Sequence, residues 1–494
     1  MMMMVSKGVD YYFVNSSTFQ LSASAQNTDD SYAMGPINVE QPPLMTKGNC
    51  QITWEFPYIP PSGSFTFSTN TSPAKSFTES INAVTGNTSG PLENMMNTPS
   101  VTEPTFALSY GMFDAGTGSG TGLTNQDQIY AYLTPSQQTW MGNLAAADAS
   151  VNNAPFGCFV LPGAHDAGTW DLTQVNTLCS TAQGIAALGA AVLLWLAILI
   201  PVLGPLAPLI LGLAAVKLED VVIGLAVTQK DNTTTMLNLG CRYFDFRPGK
   251  APSGMDIICP DIYHIHTAIP GQELSAFFTD VLTWLVANPT EIVAISLGTS
   301  GFADHGTMDP TVADLQAKFL KAQQAVTGAS SLQIGTTTDL QTSYATLVSD
   351  HKRLFFLNQG FQWYPATKYD SYSDSAYATT DPATIMTQLN TMKAEGQADS
   401  DYTVLQFQAT ATNQNIAGNI EALVASASDA YEPLMSTKAL MDSNTYPWAL
   451  AYVPQNLSNS KLLVLLNDFV DNALSGCVAS TLTKQRCQAN ASGH

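Results

Sequence analysis

Three short stretches carry residue types that together could do acid–base and phosphate chemistry. The apolar run Phe159 to Leu161 breaks at Pro162 and Gly163 and delivers His165 and Asp166 into a loop ending at Gly168. The stretch Cys241 to Arg247 ends on Asp245 and Arg247, and the stretch Asp261 to His266 ends on His266. Each reads as a β-rich strand with ionisable residues at its end, the pattern of a barrel that gathers reactive groups at the C-terminal ends of its strands. Cleaving a phosphodiester needs a base, an acid and a positive charge for the phosphorane-like transition state. Two histidines and an arginine at one rim supply that set.

Elements that could position these residues follow from the hydrophobic pattern. From Phe156 onward strands alternate with helical patterns, which predicts a parallel α/β sheet. After Gly271, residues Leu274, Phe277, Phe278, Val281, Leu282 and Leu285 fall on one helical face, and Pro289 ends it. Further strands are predicted at Glu291 to Leu297, Arg353 to Leu357, Thr403 to Phe407, near Trp448 to Val453, and at Leu462 to Leu466. Helices are predicted at Thr311 to Ala325, Ala383 to Lys393 and Ile420 to Ala427. About eight strands in all would close a TIM-type barrel. Residues 1–114 instead show short β-rich runs between turn signals such as Pro42-Pro43 and Pro60-Pro61, the spacing of an all-β sandwich. The expected organisation is thus multidomain: sandwich at 1–114, a Gly/Ser/Thr-rich linker at 115–135, and a barrel at 136–494.

An apolar helical insertion, 180–228, interrupts the barrel. Every residue from Ile185 to Val216 is apolar, Gly or Pro. Ile185 to Ile200 as one helix would reach about 24 Å, short of a roughly 30 Å hydrocarbon core, and Pro201, Pro205 and Pro208 then break the pattern. A helical hairpin beside the catalytic rim, lying on or dipping into a bilayer with Trp195 at the interface, is the favoured reading; packing against the protein is the alternative.

The 494 residues carry 18 Lys and Arg against 39 Asp and Glu, a net charge of −21. That balance excludes nucleic acid as a partner and electrostatic docking on anionic lipid, so any membrane contact must be hydrophobic. Seven cysteines without a Cys-x-x-Cys pair argue against zinc. Pairing of Cys241 with Cys259, or of Cys477 with Cys487, would close short loops, but buried free thiols are the expectation. No signal peptide is visible in Met1 to Asp10, which leaves the compartment open between inside and outside the cell.

The motifs from Leu161 to Gly168 and from Gly240 to Arg247, then His266, then Asn288 to Leu297 resemble the phosphatidylinositol-specific phospholipase C family, in the order that family uses. The likeness runs from about Gln137 to Phe469 and is nearest to the bacterial, metal-independent branch. It implies an enzyme, a phosphoric diester hydrolase or phosphorus–oxygen lyase, with a phospholipid substrate and a cyclic phosphate as first product. His165 would take a proton from the inositol 2-hydroxyl, His266 would protonate the departing diacylglycerol oxygen, and Arg247 would bind phosphate where calcium-dependent relatives place a metal. Asp166 and Asp245 would tune the acid and hold Arg247, and Asp468 would orient His165. No cofactor is implied, with calcium left open. The head-group contacts depart from the family: Gly298 to Ser300 stand where it commonly has a lysine, Asn358 and Gln359 where it has an arginine, and Gln406 and Gln408 where it has an Asp and a Tyr. Asn358, Gln406 and Gln408 are therefore the candidate substrate contacts, and inositol specificity is in question. His264, Glu291 and Arg242 are read as structural. Residues Val14 to Ser17, Gln41 to Pro43 and Lys47 to Gly48 weakly resemble the aegerolysin type of lipid-binding sandwich. A membrane-binding or pore-forming protein with the barrel as a non-catalytic scaffold is the alternative function.

Overall fold

The computed structural model describes residues 3–5, 8–27, 33–34, 44–55, 62–92, 98–113, 127–190, 219, 222–223, 226–359, 361, 363–365, 367–372, 381–409, 435–469 and 473–493. The Gly-rich stretch 115–122, the predicted helix Ile420 to Ala427 and most of the apolar run, 191–218, lie outside them. Of that run's start, residues 182–190 are helical. Among the described residues no helix is long and apolar enough to cross a membrane.

Two five-stranded sheets build the N-terminal region. Alternate residues of Val9–Asn15, Leu21–Gln26, Gly63–Thr69 and Phe106–Phe113 point into one shared core, with Phe13, Phe65 and Tyr110 among its rings. The expected N-terminal β sheets are present, and they extend into the stretch expected as linker. Asp127–Pro135 is a buried strand pairing in parallel with Val9–Asn15 and antiparallel with Phe106–Phe113, so these residues belong to the sandwich and not to a linker.

The rest of the chain is organised on an eight-stranded sheet. In spatial order its strands are Gln333–Gly335, Lys352–Gln359, Val293–Gly298, Tyr243–Phe246, Val160–Ala164, Leu462–Asn467, Tyr402–Gln406 and Tyr369–Asp370, all parallel. Central strands such as Val160–Ala164 and Leu462–Asn467 are buried along their whole length, as strands covered on both faces must be. Helix Leu274–Ala287 covers one face with the predicted apolar stripe, and Thr311 caps helix Val312–Ala325 through a capping box with Asp314.

Three expectations are corrected here. The sheet does not close: among the described residues, Gln333–Gly335 and Tyr369–Asp370 are its edges and do not pair. His266 ends a strand, Ile262–His266, that belongs to a separate three-stranded antiparallel sheet with Pro248–Lys250 and Ile269–Glu273. The stretch Trp448 to Val453 is helical, within Met435–Asn456. Buried Ala439, Asp442, Tyr446, Ala449 and Val453 recur every three or four residues there, a helical period that a β-rich composition masks.

At the end of the sheet away from the His165 and Arg247 loops, Arg242 and Glu291 form a fully buried pair, Nη2 to Oε2 2.7 Å and Nε to Oε2 3.0 Å. The guanidinium also donates to Leu237 O, Cys241 O and Gln138 O, while Glu291 accepts from the Gly142 amide. Both residues are structural, as expected. Glu291→Gln leaves a buried guanidinium without its counter-charge and is expected to lower stability by roughly 3–5 kcal/mol, read as a shift of the denaturant midpoint.

Candidate active site

Sheet register sets the geometry of the site. Ala164 pairs with Asn467 on one side and with Phe244 on the other, so the next residue along each strand, His165, Asp468 and Asp245, falls at one level of the rim. Parallel pairing makes this possible, because three neighbouring strands end in the same direction. His165 Nδ1 is 2.8 Å from Asp468 Oδ1. His165 Nε2 lies 3.0 Å from Arg247 Nη2, a nitrogen that can only donate, so in the neutral ring Nε2 accepts and the proton sits on Nδ1 facing Asp468.

Arg247 is held on two sides, by Asp245 Oδ2 at 3.0 Å from Nη2 and by Asp166 Oδ1 at 3.0 Å from Nε. Its other terminal nitrogen, Nη1, lies next to Gly301, where an added Cβ would stand 3.4 Å away. Asp166 is fully buried and is shared by four groups: Arg247 Nε and His264 Nε2 (3.4 Å) on Oδ1, and His165 Nε2 (3.3 Å) and His266 Nε2 (3.7 Å) on Oδ2. The antiparallel excursion Pro248–His266 is what brings His266 back to this rim, through the pairing of Pro248 with His264.

Two further residues pin the loops. Gln229 Nε2 donates to His165 O at 2.7 Å and to Asn467 O at 3.2 Å, joining the two strand ends. Next to it, the Phe469 amide donates to Thr228 O, and Thr228 Oγ1 donates to His165 O at 3.1 Å. The same segment reaches the sandwich, where Lys230 Nζ donates to Tyr110 O and Asp231 accepts from Ser100. Three residues at the site have left-handed backbones: Asp166 at φ 44°, Thr267 at 60° and Phe469 at 51°. Such residues cost on the order of 1–3 kcal/mol each and persist where the surroundings over-determine them.

The electrostatics separate the two rim histidines. Burial pushes the His165 imidazole down, but the carboxylates of Asp166 and Asp468 outweigh it and raise the ring to about 9. For His266 burial also leads, and with Arg247 close by it outweighs the attraction of Asp166, leaving the ring at about 4. Asp166 is held well below the usual carboxylate range, since Arg247 and His165 outweigh its burial. Asp468 is raised, chiefly by burial.

These groups open on a cavity of about 440 Å³. His165, Asp166, Asp245, Arg247 and His266 all line it, while Asp468 stands behind His165. Gln406 and Gln408 line it as well, their amides joined at 2.7 Å. Asn358 does not and is corrected: side chains alternate along a strand, so it turns away to donate to Tyr364 O, and the neighbouring Gln359 faces the cavity. Tyr243, Ser296 and Tyr369 complete the neutral wall, with Gln359 donating to Tyr402 Oη at 2.8 Å and Tyr243 Oη 3.5 Å from Tyr402 Oη. Tyr243 was legible from alternation, lying two and four residues before Asp245 and Arg247. Gln229 and Tyr402 carry no local signal. His165, Asp166 and Asp245 could also surround a metal ion, their ligand atoms lying within 4.8 Å of one another. The Arg247 guanidinium already lies against all three.

No family model matches this sequence. A mouse protein, PI-PLC X domain-containing protein 1, is 25% identical over 160 residues, 32% of this chain and 39% of that protein. The chain thus spans less than half the length of the curated relative it matches. Two solved structures are similar at low identity. The phosphatidylinositol-specific phospholipase C of Listeria monocytogenes is 13% identical with a TM-score of 0.40, over 70% of this chain and 98% of that one. The Staphylococcus aureus phosphatidylinositol-specific phospholipase C is 14% identical with a TM-score of 0.39, over 70% and 97%.

The two histidines give opposite pH signatures of stability. His165, raised from 6.5 to about 9, contributes stability that is complete below about pH 6.5 and lost as pH rises through 9. His266, lowered from 6.5 to about 4, contributes stability that is present above 6.5 and lost as pH falls through 4. Asp468→Asn should flatten the alkaline decline alone, as measured by urea unfolding at a series of pH values.

Proposed function

We propose that this chain is a phosphodiesterase of the phospholipase C type, cleaving a phospholipid head group at a membrane surface without a metal, by way of a cyclic phosphate. The observation that carries the reading is the Arg247 guanidinium clamped between Asp166 and Asp245, with His165 against it and His266 on the same Asp166 oxygen as His165. The sequence resemblance to the metal-independent branch and the names of the similar proteins point the same way, and suggest phosphatidylinositol as the first substrate to try.

In this mechanism the neutral form of His165, the minor form below about pH 9 in the empty site, takes the proton of a head-group hydroxyl vicinal to the phosphate on Nε2. The freed oxygen attacks phosphorus, forming the cyclic phosphodiester, and the bond to the diacylglycerol oxygen breaks as that oxygen takes a proton from His266. Asp468 stabilises the imidazolium formed on His165. Arg247 neutralises the non-bridging oxygens, with Nη1 on the Gly301 side of the cavity. A ring at about 4 is a poor proton donor in the empty site, but a bound phosphodiester places negative charge beside His266 and raises its proton affinity. Head-group hydroxyls would meet Gln359, Gln406 and Gln408.

Membrane contact is part of the proposal. Ile257 is 73% exposed and Ile185 47% exposed, on segments that touch where an added Cβ on Gly254 would stand 3.7 Å from Ala187 Cβ. Ile185 also begins the run of apolar, Gly and Pro residues that ends at Val216. With a net charge of −21, this apolar side is the one suited to lipid.

The test is release of soluble phosphate ester from phosphatidylinositol and mixed-lipid vesicles in excess chelator. The wild type should release it, and His165→Ala and His266→Ala should each reduce the rate by roughly 10²–10⁴-fold. Vesicle binding or leakage with no release from any lipid would contradict the enzyme and favour a non-catalytic membrane protein.

A further inference from the structure

We propose that His264 is a positioning residue of this site: its neutral ring, protonated on Nε2, fixes the Asp166 carboxylate and, through it, the two rim histidines and Arg247. The consequence for catalysis rests on the phosphodiesterase reading above; the positioning itself does not.

Hydrogen bonding settles the tautomer. His264 Nδ1 accepts the backbone N–H of Arg247 at 3.2 Å, and a nitrogen that accepts carries no proton. The neutral ring therefore has its proton on Nε2, the atom 3.4 Å from Asp166 Oδ1. That nitrogen is fully buried and makes no hydrogen bond of good geometry; the acceptor beside it is Asp166 Oδ1 at 3.4 Å, whose negative charge offsets part of the desolvation of the N–H dipole.

Packing leaves the ring little room to turn. Its edge meets the Phe246 ring at 5.1 Å between centroids, and a Cβ on Gly168 would stand 2.3 Å from His264 Cβ. An apolar ring would fill this space without an imidazole's desolvation cost, so the nitrogens are what distinguish His264 from a core residue. Its two nitrogens bind the Arg247 backbone and the Asp166 side chain, joining the loop that carries the phosphate-binding residue to the loop that carries the shared carboxylate. The charged and titratable groups around the Asp166 carboxylate are Arg247, His165, His264 and His266, with Asp468 facing His165 from the far side and Asp245 on Arg247.

The test is titration of the histidine rings by NMR in the intact, ligand-free protein, with resonances assigned by substitution. Asp166→Asn should lower the His165 titration toward its ordinary value. His264→Phe should lower it in the same direction by about one pH unit, and His264→Gln, which keeps a distal N–H donor, should restore it. His264→Phe titrating like the wild type, or His264→Gln behaving like Asp166→Asn, would overturn the proposal. If His264→Phe fails to give a cooperative thermal transition, His264→Gln decides alone: a wild-type titration supports the assignment and a lowered one removes it. Where vesicle cleavage is present, His264→Phe should lower kcat about tenfold or more with little change in KM, and should add nothing in the Asp166→Asn background. A protein with no activity on any vesicle refutes the phosphodiesterase reading and leaves the titration to judge His264.

Discussion

One buried carboxylate organises this site. Asp166 has no exposed surface, and a lone carboxylate there would take up a proton rather than remain charged. It stays ionised because Arg247 and three histidines converge on its two oxygens, at 3.0 to 3.7 Å. The same low-dielectric setting strengthens the electrostatic part of those contacts, so the carboxylate holds the groups around it as they hold its charge. The left-handed backbone at Asp166 is the local cost of aiming the side chain inward. Close packing of Gly168 on His264, where any side chain would collide, secures the turn that does so.

Around this centre, the sheet provides level and the loops provide direction. Parallel neighbours ending together place His165 between Asp468 and Asp245, and Thr228 and Gln229 tie the two central loop backbones to each other. Lys230 and Asp231 then bond the sandwich, so the segment that steadies the His165 loop is also the seam between the two regions. The sandwich also meets the C-terminal helix Ala473–Ala491, whose first amide bonds Ser109 Oγ. The β-region therefore packs against the framework of the site.

Much of this is legible in the sequence, for identifiable reasons. A parallel strand ending in ionisable residues has both a period and a terminus, which is why His165, Asp166, Asp245 and Arg247 can be read without a structure, while Asp468 comes from the family resemblance. His266 can be read as a rim residue, but not the antiparallel detour that delivers it, because Ile262–His266 has the same composition as a sheet strand and pairing partners leave no mark in composition. Asn358 against Gln359 is a one-residue question of strand phase, and a strand such as Lys352–Gln359, buried at every position between its half-buried ends, has little polar alternation to settle it. The helix over Trp448 to Val453 is hidden by its aromatics and by Pro447 and Pro454. Gln229, Tyr402 and the role of His264 depend on contacts distant in sequence, where only the folded arrangement carries the information.

The central claim is that an arginine and two histidines gathered on Asp166 transfer a phosphoryl group to a neighbouring hydroxyl with no metal. The most direct measurement is a phosphorus NMR time course on phosphatidylinositol vesicles in excess chelator, following the first phosphorus-containing product in water. The account predicts a cyclic phosphodiester that appears first and is opened later to the monoester. A monoester formed with no cyclic precursor, or a reaction that begins only on addition of a divalent ion, would contradict it.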